Sequence, residues 1–148
     1  MKLPPKNIGA AGEHYVAMQL NRHGVDTLLP NVGNPIIDVI AMRGGATASI
    51  QVKSSGKHVD RPTDLFMATA KVSQTDFLVL VWLDVQPVAF VLPRAETIEW
   101  CKEFNDGHAT APVTRMNGRS REFLSAHREA WHYVVEHFDA ASGHSAAA

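Results

Sequence analysis

The stretch IIDVIAMRGGATASIQVKSS, residues 36–55, decides how this chain is read. Residues 36–42 form one β-rich run and Thr47–Ser54 another, with the turn Arg43-Gly44-Gly45-Ala46 between them. A Gly-Gly pair between two such runs signals a tight hairpin, because glycine adopts the positive φ that two-residue turns require. Side chains alternate along a strand, so Ile50 and Val52 point one way and Ser49, Gln51 and Lys53 the other. A turn centred on Gly44-Gly45 sets Asp38 opposite Gln51, Ile40 opposite Ser49 and Ile36 opposite Lys53. Opposed residues share a face, so Asp38, Gln51 and Lys53 are expected to project together. A carboxylate inside Ile37-Asp38-Val39 is costly to bury unless something pairs with it.

Upstream, residues 1–8 read as a short leader with Pro4 and Pro5, followed by a helix from about Ile8 to His23 that Gly24 stops. Glu13, Val16 and Leu20 recur at helical spacing, which turns Glu13 toward the apolar stripe. Two inward carboxylates, an amide oxygen and a lysine make a hard-oxygen site of the kind that suits Mg²⁺ or Mn²⁺. The lysine can orient or deprotonate a water, or offset charge developing on a phosphate. Taken singly, each residue has an ordinary reading. Asp38 could be satisfied by backbone amides, Glu13 could serve the helix dipole, and Gln51 with Lys53 could be a half-exposed strand face. Their joint order and spacing favour a site.

Downstream, residues 76–83 (DFLVLVWL) read as a buried strand, Asp84-Val85-Gln86-Pro87 as a turn, and residues 88–93 as a strand pairing back. A helix is expected over Arg94–Phe104 and a last one from about Ser120 to Phe138. Residues 55–75 and 105–120 read as loops, with a short helix possible within 65–73, and residues 140–148 as a disordered tail. This order implies an α/β fold with a mixed sheet and flanking helices, residues 1–139 forming one domain.

Composition narrows the function classes. The chain has 148 residues, 45% hydrophobic and 20% charged, and a net charge of −1. That balance excludes an overall basic field, so nucleic-acid contacts must come from local clusters. The clusters are Lys57 with Arg61 after the motif strand, and Arg115, Arg119 and Arg121 within VTRMNGRSR. Cys101 is the sole cysteine, which leaves no disulfide framework and no cysteine zinc site and fits a reducing cytoplasm. The N-terminus lacks an apolar signal core, and the longest apolar run, Phe77–Leu83, is too short to span a membrane. HREAWH at 127–132 is not H-E-x-x-H, so the histidines do not spell a zinc site.

GEHYVAMQL (12–20), NPIIDVIA (34–41) and ASIQVKSS (48–55) together resemble the PD-(D/E)XK nuclease superfamily, which includes many restriction endonucleases and the archaeal Holliday junction resolvases. The resemblance covers residues 9–55 and extends loosely over 76–93. It implies a restriction-endonuclease-like core with a central mixed sheet. Glu13 matches the helix glutamate, Asp38 the strand aspartate and Lys53 the lysine. Gln51 stands where an acid is usual, and no Pro-Asp pair precedes the motif; a Q-x-K version resembles the Mrr-type branch. The implied activity is Mg²⁺- or Mn²⁺-dependent hydrolysis of phosphodiester bonds in duplex or branched DNA. Asp38 would be the central ligand, Gln51 and the Val52 carbonyl would add neutral oxygens, and Glu13 would ligate directly or through water. So small a domain has no separate target-recognition module, which implies structure-selective cutting or a homodimer. The alternatives are an inactive relative that binds nucleic acid or a protein, and a structural subunit whose polar strand face is an interface.

Overall fold

Helix α1 spans Pro5–Arg22 in the computed structural model, which describes residues 3–30, 36–60, 66–68, 74–104, 110–112 and 118–143. Pro5 therefore opens the helix rather than ending a leader. At the first helical position its missing N–H costs nothing and its ring presets φ. The Pro4 carbonyl caps from outside, accepting from the N–H groups of Asn7 at 2.9 Å and Ile8 at 3.1 Å. Gly12, Val16, Ala17 and Leu20 form the buried stripe. Gly24, at φ +75°, turns the chain out of the helix as expected.

The strands are β1 (Asp26–Leu28), β2 (Val39–Arg43), β3 (Ala46–Ser55), β4 (Phe66–Ala68), β5 (Phe77–Trp82), β6 (Val88–Pro93) and β7 (Thr110–Pro112). The remaining helices are α2 (Arg94–Phe104), α3 (Gly118–Ser125) and α4 (His132–Ala141). The main sheet has the order β1-β2-β3-β5-β6, in which only the β3–β5 pair is parallel. A second, two-stranded sheet pairs β4 with β7. The β5–β6 hairpin and α2 lie where the sequence predicts them, and the first hairpin does so except that β2 begins at Val39 rather than at residue 36. The three-residue strands β1, β4 and β7 were not predicted, because three residues are too few to show a period of two.

The sheet is covered on both faces. On one, Val16 and Leu20 of α1 and Trp131, Val134 and Phe138 around α4 pack on Val39, Ala41, Ile50, Val79 and Val81. On the other, Trp100 and Cys101 of α2 and Leu124 of α3 pack on Leu78, Leu80, Trp82, Phe90 and Leu92. All six residues of β5 are buried, which explains its unbroken apolar sequence. Burial also raises the Cys101 thiol above its ordinary pKa.

The expected last helix is broken between α3 and α4, and α4 continues through Ala141. Residues 127–129 run along the outer edge of β6 instead. The Val91 N–H donates to the His127 carbonyl at 3.0 Å, and the Glu129 N–H to the Ala89 carbonyl at 2.8 Å. Covering an open sheet edge satisfies backbone groups that a continuous helix would leave to solvent. The turn places Glu129 at φ 48°, and its carboxylate fastens three elements. It accepts from the Ala89 N–H at 2.8 Å, the Tyr15 hydroxyl at 3.1 Å and Trp131 Nε1 at 2.7 Å. Nearby, His127 hydrogen-bonds the Phe123 carbonyl through Nδ1 at 2.8 Å and Glu96 through Nε2, tying α3 to α2.

Glu129→Gly relieves the left-handed backbone but removes all three side-chain contacts. The expected result is a net loss of about 1–2 kcal/mol, because half-exposed hydrogen bonds outweigh the local strain. Urea denaturation checks this; an unchanged or higher midpoint would show that the carboxylate does not hold the edge.

Candidate functional site

The β2–β3 hairpin has the predicted register up to a point. Pairs run from Arg43 with Ala46 through Ile40 with Ser49 to Val39 with Ile50. Gly44 and Gly45 both have positive φ, 58° and 82°, as a two-residue turn of this hand requires. Then the ladder stops. The Asp38 N–H donates to the Ile50 carbonyl at 2.9 Å, so Asp38 and Val39 address the same residue of β3. This is the geometry of a β-bulge, and the backbone bends at Asp38. The expected pairings of Asp38 with Gln51 and Ile36 with Lys53 therefore do not form.

The next N–H that β3 presents to β2 is that of Val52. It donates to Asp38 Oδ2 at 2.8 Å. The carboxylate thus takes the place of a ladder carbonyl and lies in the opening between the two strands. In an extended strand the N–H and C=O of one residue point to the same neighbour. The Val52 carbonyl accordingly shares the direction of its N–H, toward the same opening.

Alternation along β3 sends Val52 and Ser54 toward α1, where Gly12 lies over them, and Gln51 and Lys53 to the opposite face. Gln51 and Lys53 share a face, as the alternation predicts, and Asp38 lies just beyond the last ladder pair. Glu13 approaches from the α1 layer and Lys53 from the other, and Asp38 between them interacts electrostatically with both. Asp38, beyond the last ladder pair, is thus the residue that both Glu13 and Lys53 act on.

The site is desolvated and negatively strained. Burial raises the Asp38 carboxyl above the usual aspartate range, against the opposing effects of the Val52 N–H and the Lys53 charge. Burial also raises Glu13, the Asp38 charge adds to the rise, and His14 partly offsets it. Gln51 is 3% exposed, and its Oε1 is buried with no hydrogen-bond partner among the described residues. A buried acceptor of this kind is free to take a water or an ion. The residues that could hold a hard divalent cation are Glu13 and Asp38 with the Gln51 amide oxygen and the Val52 carbonyl, all oxygen donors of the kind such an ion takes. Among the described residues no group of three or more His, Cys, Asp or Glu could hold a metal. A cation site here must therefore use neutral oxygens.

The basic residues are less concentrated. Lys57 is exposed just beyond β3, its N–H bound to Ser55 Oγ at 3.2 Å. Arg119 and Arg121 fall on the backbone of α3, while their side chains and the whole of Arg61 and Arg115 lie outside the described residues. Nothing in the spacing points to Gly12 or Ser54 as partners of the site. The available signal is a glycine standing on the buried stripe directly before Glu13. No helix among the described residues is long and apolar enough to cross a membrane.

No family model matches the chain, and no curated protein matches it. Among solved structures, the bacterial homing endonuclease I-Ssp6803I superposes with a TM-score of 0.65 at 20% identity, covering 97% of this chain and 100% of that one. The Archaeoglobus fulgidus Holliday junction resolvase Hjc gives a TM-score of 0.43 at 17% identity, covering 59% of this chain and 73% of that one. The likeness to the homing endonuclease is one of fold, and the fold is the restriction-endonuclease-like α/β fold that the sequence resemblance implied.

The raised carboxyls carry a sign for stability. A carboxyl whose folded pKa lies above its unfolded one favours the folded state below the unfolded value, and that contribution is lost as pH rises through the folded value. Without metal, Asp38→Asn should therefore raise stability at pH 7, since the amide oxygen can still accept from Val52. The gain should shrink as pH falls through the carboxyl range. Urea denaturation in EDTA across that range is the measurement, and a loss at pH 7 would mean that the Val52 bond outweighs desolvation.

Proposed function

We propose that this protein is a divalent-metal-dependent endonuclease that hydrolyses phosphodiester bonds in DNA, with its site at the opening between β2 and β3. The observation that carries the reading is the desolvated Asp38 carboxylate, held by the Val52 N–H and acted on by both Glu13 and Lys53, with the buried, unpartnered Gln51 oxygen on the same strand as Val52 and Lys53. The shared fold with a homing endonuclease supports it.

Asp38, Gln51 Oε1, the Val52 carbonyl and Glu13, directly or through water, would hold Mg²⁺ or Mn²⁺. Such an ion, when bound, supplies Lewis-acid polarisation of the phosphate and a water of lowered pKa. The chain's own groups do the rest. The Val52 N–H fixes one Asp38 oxygen and so orients the carboxylate. Lys53 orients the attacking water and offsets the charge that develops on the phosphoryl oxygens. Desolvation around Asp38 and Glu13 strengthens each of these interactions. Gln51 ligates without adding a third negative charge, the Q-x-K form of the motif, so cation affinity should be lower than for an all-carboxylate site. Lys57, Arg61, Arg115, Arg119 and Arg121 are the basic residues available to phosphates away from the metal. One site per chain implies a homodimer for cutting both strands of a duplex. Gln51 also motivates a second reading, an inactive relative that binds DNA without cutting it.

Plasmid and branched DNA, incubated with Mg²⁺, Mn²⁺ or EDTA, separate these readings. Lys53→Ala should lose about 10²–10³-fold in rate while keeping DNA binding, because its contribution falls on charge present only during reaction. Gln51→Glu should bind Mn²⁺ more tightly, and millimolar cation should raise the melting temperature of the wild type. DNA binding without cleavage would favour the inactive relative. Equal cleavage rates in wild type, Lys53→Ala and Gln51→Glu would place any activity elsewhere.

A further inference from the structure

We infer that Gly12 is a positioning residue: it lets α1 lie directly on Ser54 of β3, and this close approach brings Glu13 to Asp38. The inference rests on the proposed site and assigns Gly12 and Ser54 a part in its geometry. A Cβ built on Gly12 would stand 1.8 Å from Ser54 Oγ and 2.9 Å from Ser54 Cβ, while Val52 Cγ1, at 3.6 Å, is in ordinary contact. Ser54 belongs to a strand paired on its far side with β5, so it cannot yield easily. Ser54 Oγ can turn away about χ1, but Ser54 Cβ is fixed to the strand backbone, so a side chain at position 12 pushes the helix and the strand apart. Gly9, one turn earlier on the same helix, would meet nothing within 4 Å. The requirement for glycine is therefore specific to position 12.

Two further observations fit. Ser54 Oγ is buried with no hydrogen-bond partner among the described residues, which is consistent with a helix backbone pressed over it. Glu13 follows Gly12 directly, so its backbone is carried on the same turn. A helix raised at Gly12 takes Glu13 away from the opening where Asp38 lies. Val16 and Leu20, packed deeper in the core, act as the pivot.

The test uses Gly12→Ala, Ser54→Gly, the double variant Gly12→Ala/Ser54→Gly, and Gly9→Ala as the control on the same helix. In an ordinary helix interior, alanine in place of glycine stabilises. Gly9→Ala should behave so and leave Mn²⁺ binding unchanged. Gly12→Ala should weaken Mn²⁺ binding by about 10- to 100-fold, the range seen when a group that orients a metal ligand is removed. The double variant should recover wild-type affinity, because only the Val52 contact remains.

A metal-free arm separates this inference from the function reading. In EDTA, Glu13→Gln should raise the urea midpoint of the wild type by removing a charge that burial and the Asp38 carboxylate both disfavour. It should give no such rise in Gly12→Ala, and should give it again in the double variant. If wild type binds no Mn²⁺ but the EDTA pattern holds, the positioning stands and the metal reading falls. A Gly12→Ala that does not fold, restored with wild-type behaviour by Ser54→Gly, supports the same conclusion. The inference is overturned if Gly12→Ala keeps the Glu13→Gln effect, or if Ser54→Gly restores neither that effect nor folding.

Discussion

The Val52 N–H donates to a carboxylate where an unbroken hairpin would offer it a carbonyl. Opening a sheet within its paired region normally strands backbone donors, and a buried unpaired N–H is expensive. Here the residue that opens the sheet also satisfies the donor it releases. β3 can leave β2 beyond Ile50 because its other edge is held by β5 as far as Ser55 opposite Trp82. The result is a gap in the sheet plane that both covering layers can reach. Glu13 of the covering helix and Lys53 of β3 then both act on Asp38.

That arrangement concentrates charge in a partly dehydrated space. Burial outweighs both the hydrogen bond and the lysine in setting the Asp38 carboxyl, and its charge in turn acts on Glu13. A third carboxylate at position 51, on a residue that is buried, would add to this repulsion in the metal-free protein. The amide keeps an oxygen at that position without the charge. In the proposed cation site, the lower attraction of a neutral oxygen for a cation would be offset by the stability of the metal-free fold.

Much of this was legible in the sequence. Gly44-Gly45 and the alternation on either side fixed the hairpin register, and helical spacing set Glu13 on the buried side of α1. The bulge was not legible, since a pattern of apolar and polar residues cannot show a side chain competing for a backbone N–H. With it went the pairing of Asp38 with Gln51 and of Ile36 with Lys53: the Asp38 carboxylate accepts from the Val52 N–H instead. The break before α4 was hidden for another reason. Residues 126–131 continue a plausible helical pattern, and only the tertiary need of the β6 edge turns His127–Glu129 aside. Gly12 was visible as a letter, but its importance depends on Ser54, a contact between distant parts of the chain.

The hairpin has a consequence for the order in which the molecule assembles. β2 and β3 are joined by two residues, so their pairing closes a short loop at little entropic cost. The parallel β3–β5 pairing must bring together segments separated by a long connection that itself includes β4, and contacts of that span form late. The turn and the paired part of the hairpin are thus local, whereas the opening beyond Ile50, where Asp38, Gln51, Val52 and Lys53 lie, depends on the long-range docking of β5 that holds the other edge of β3.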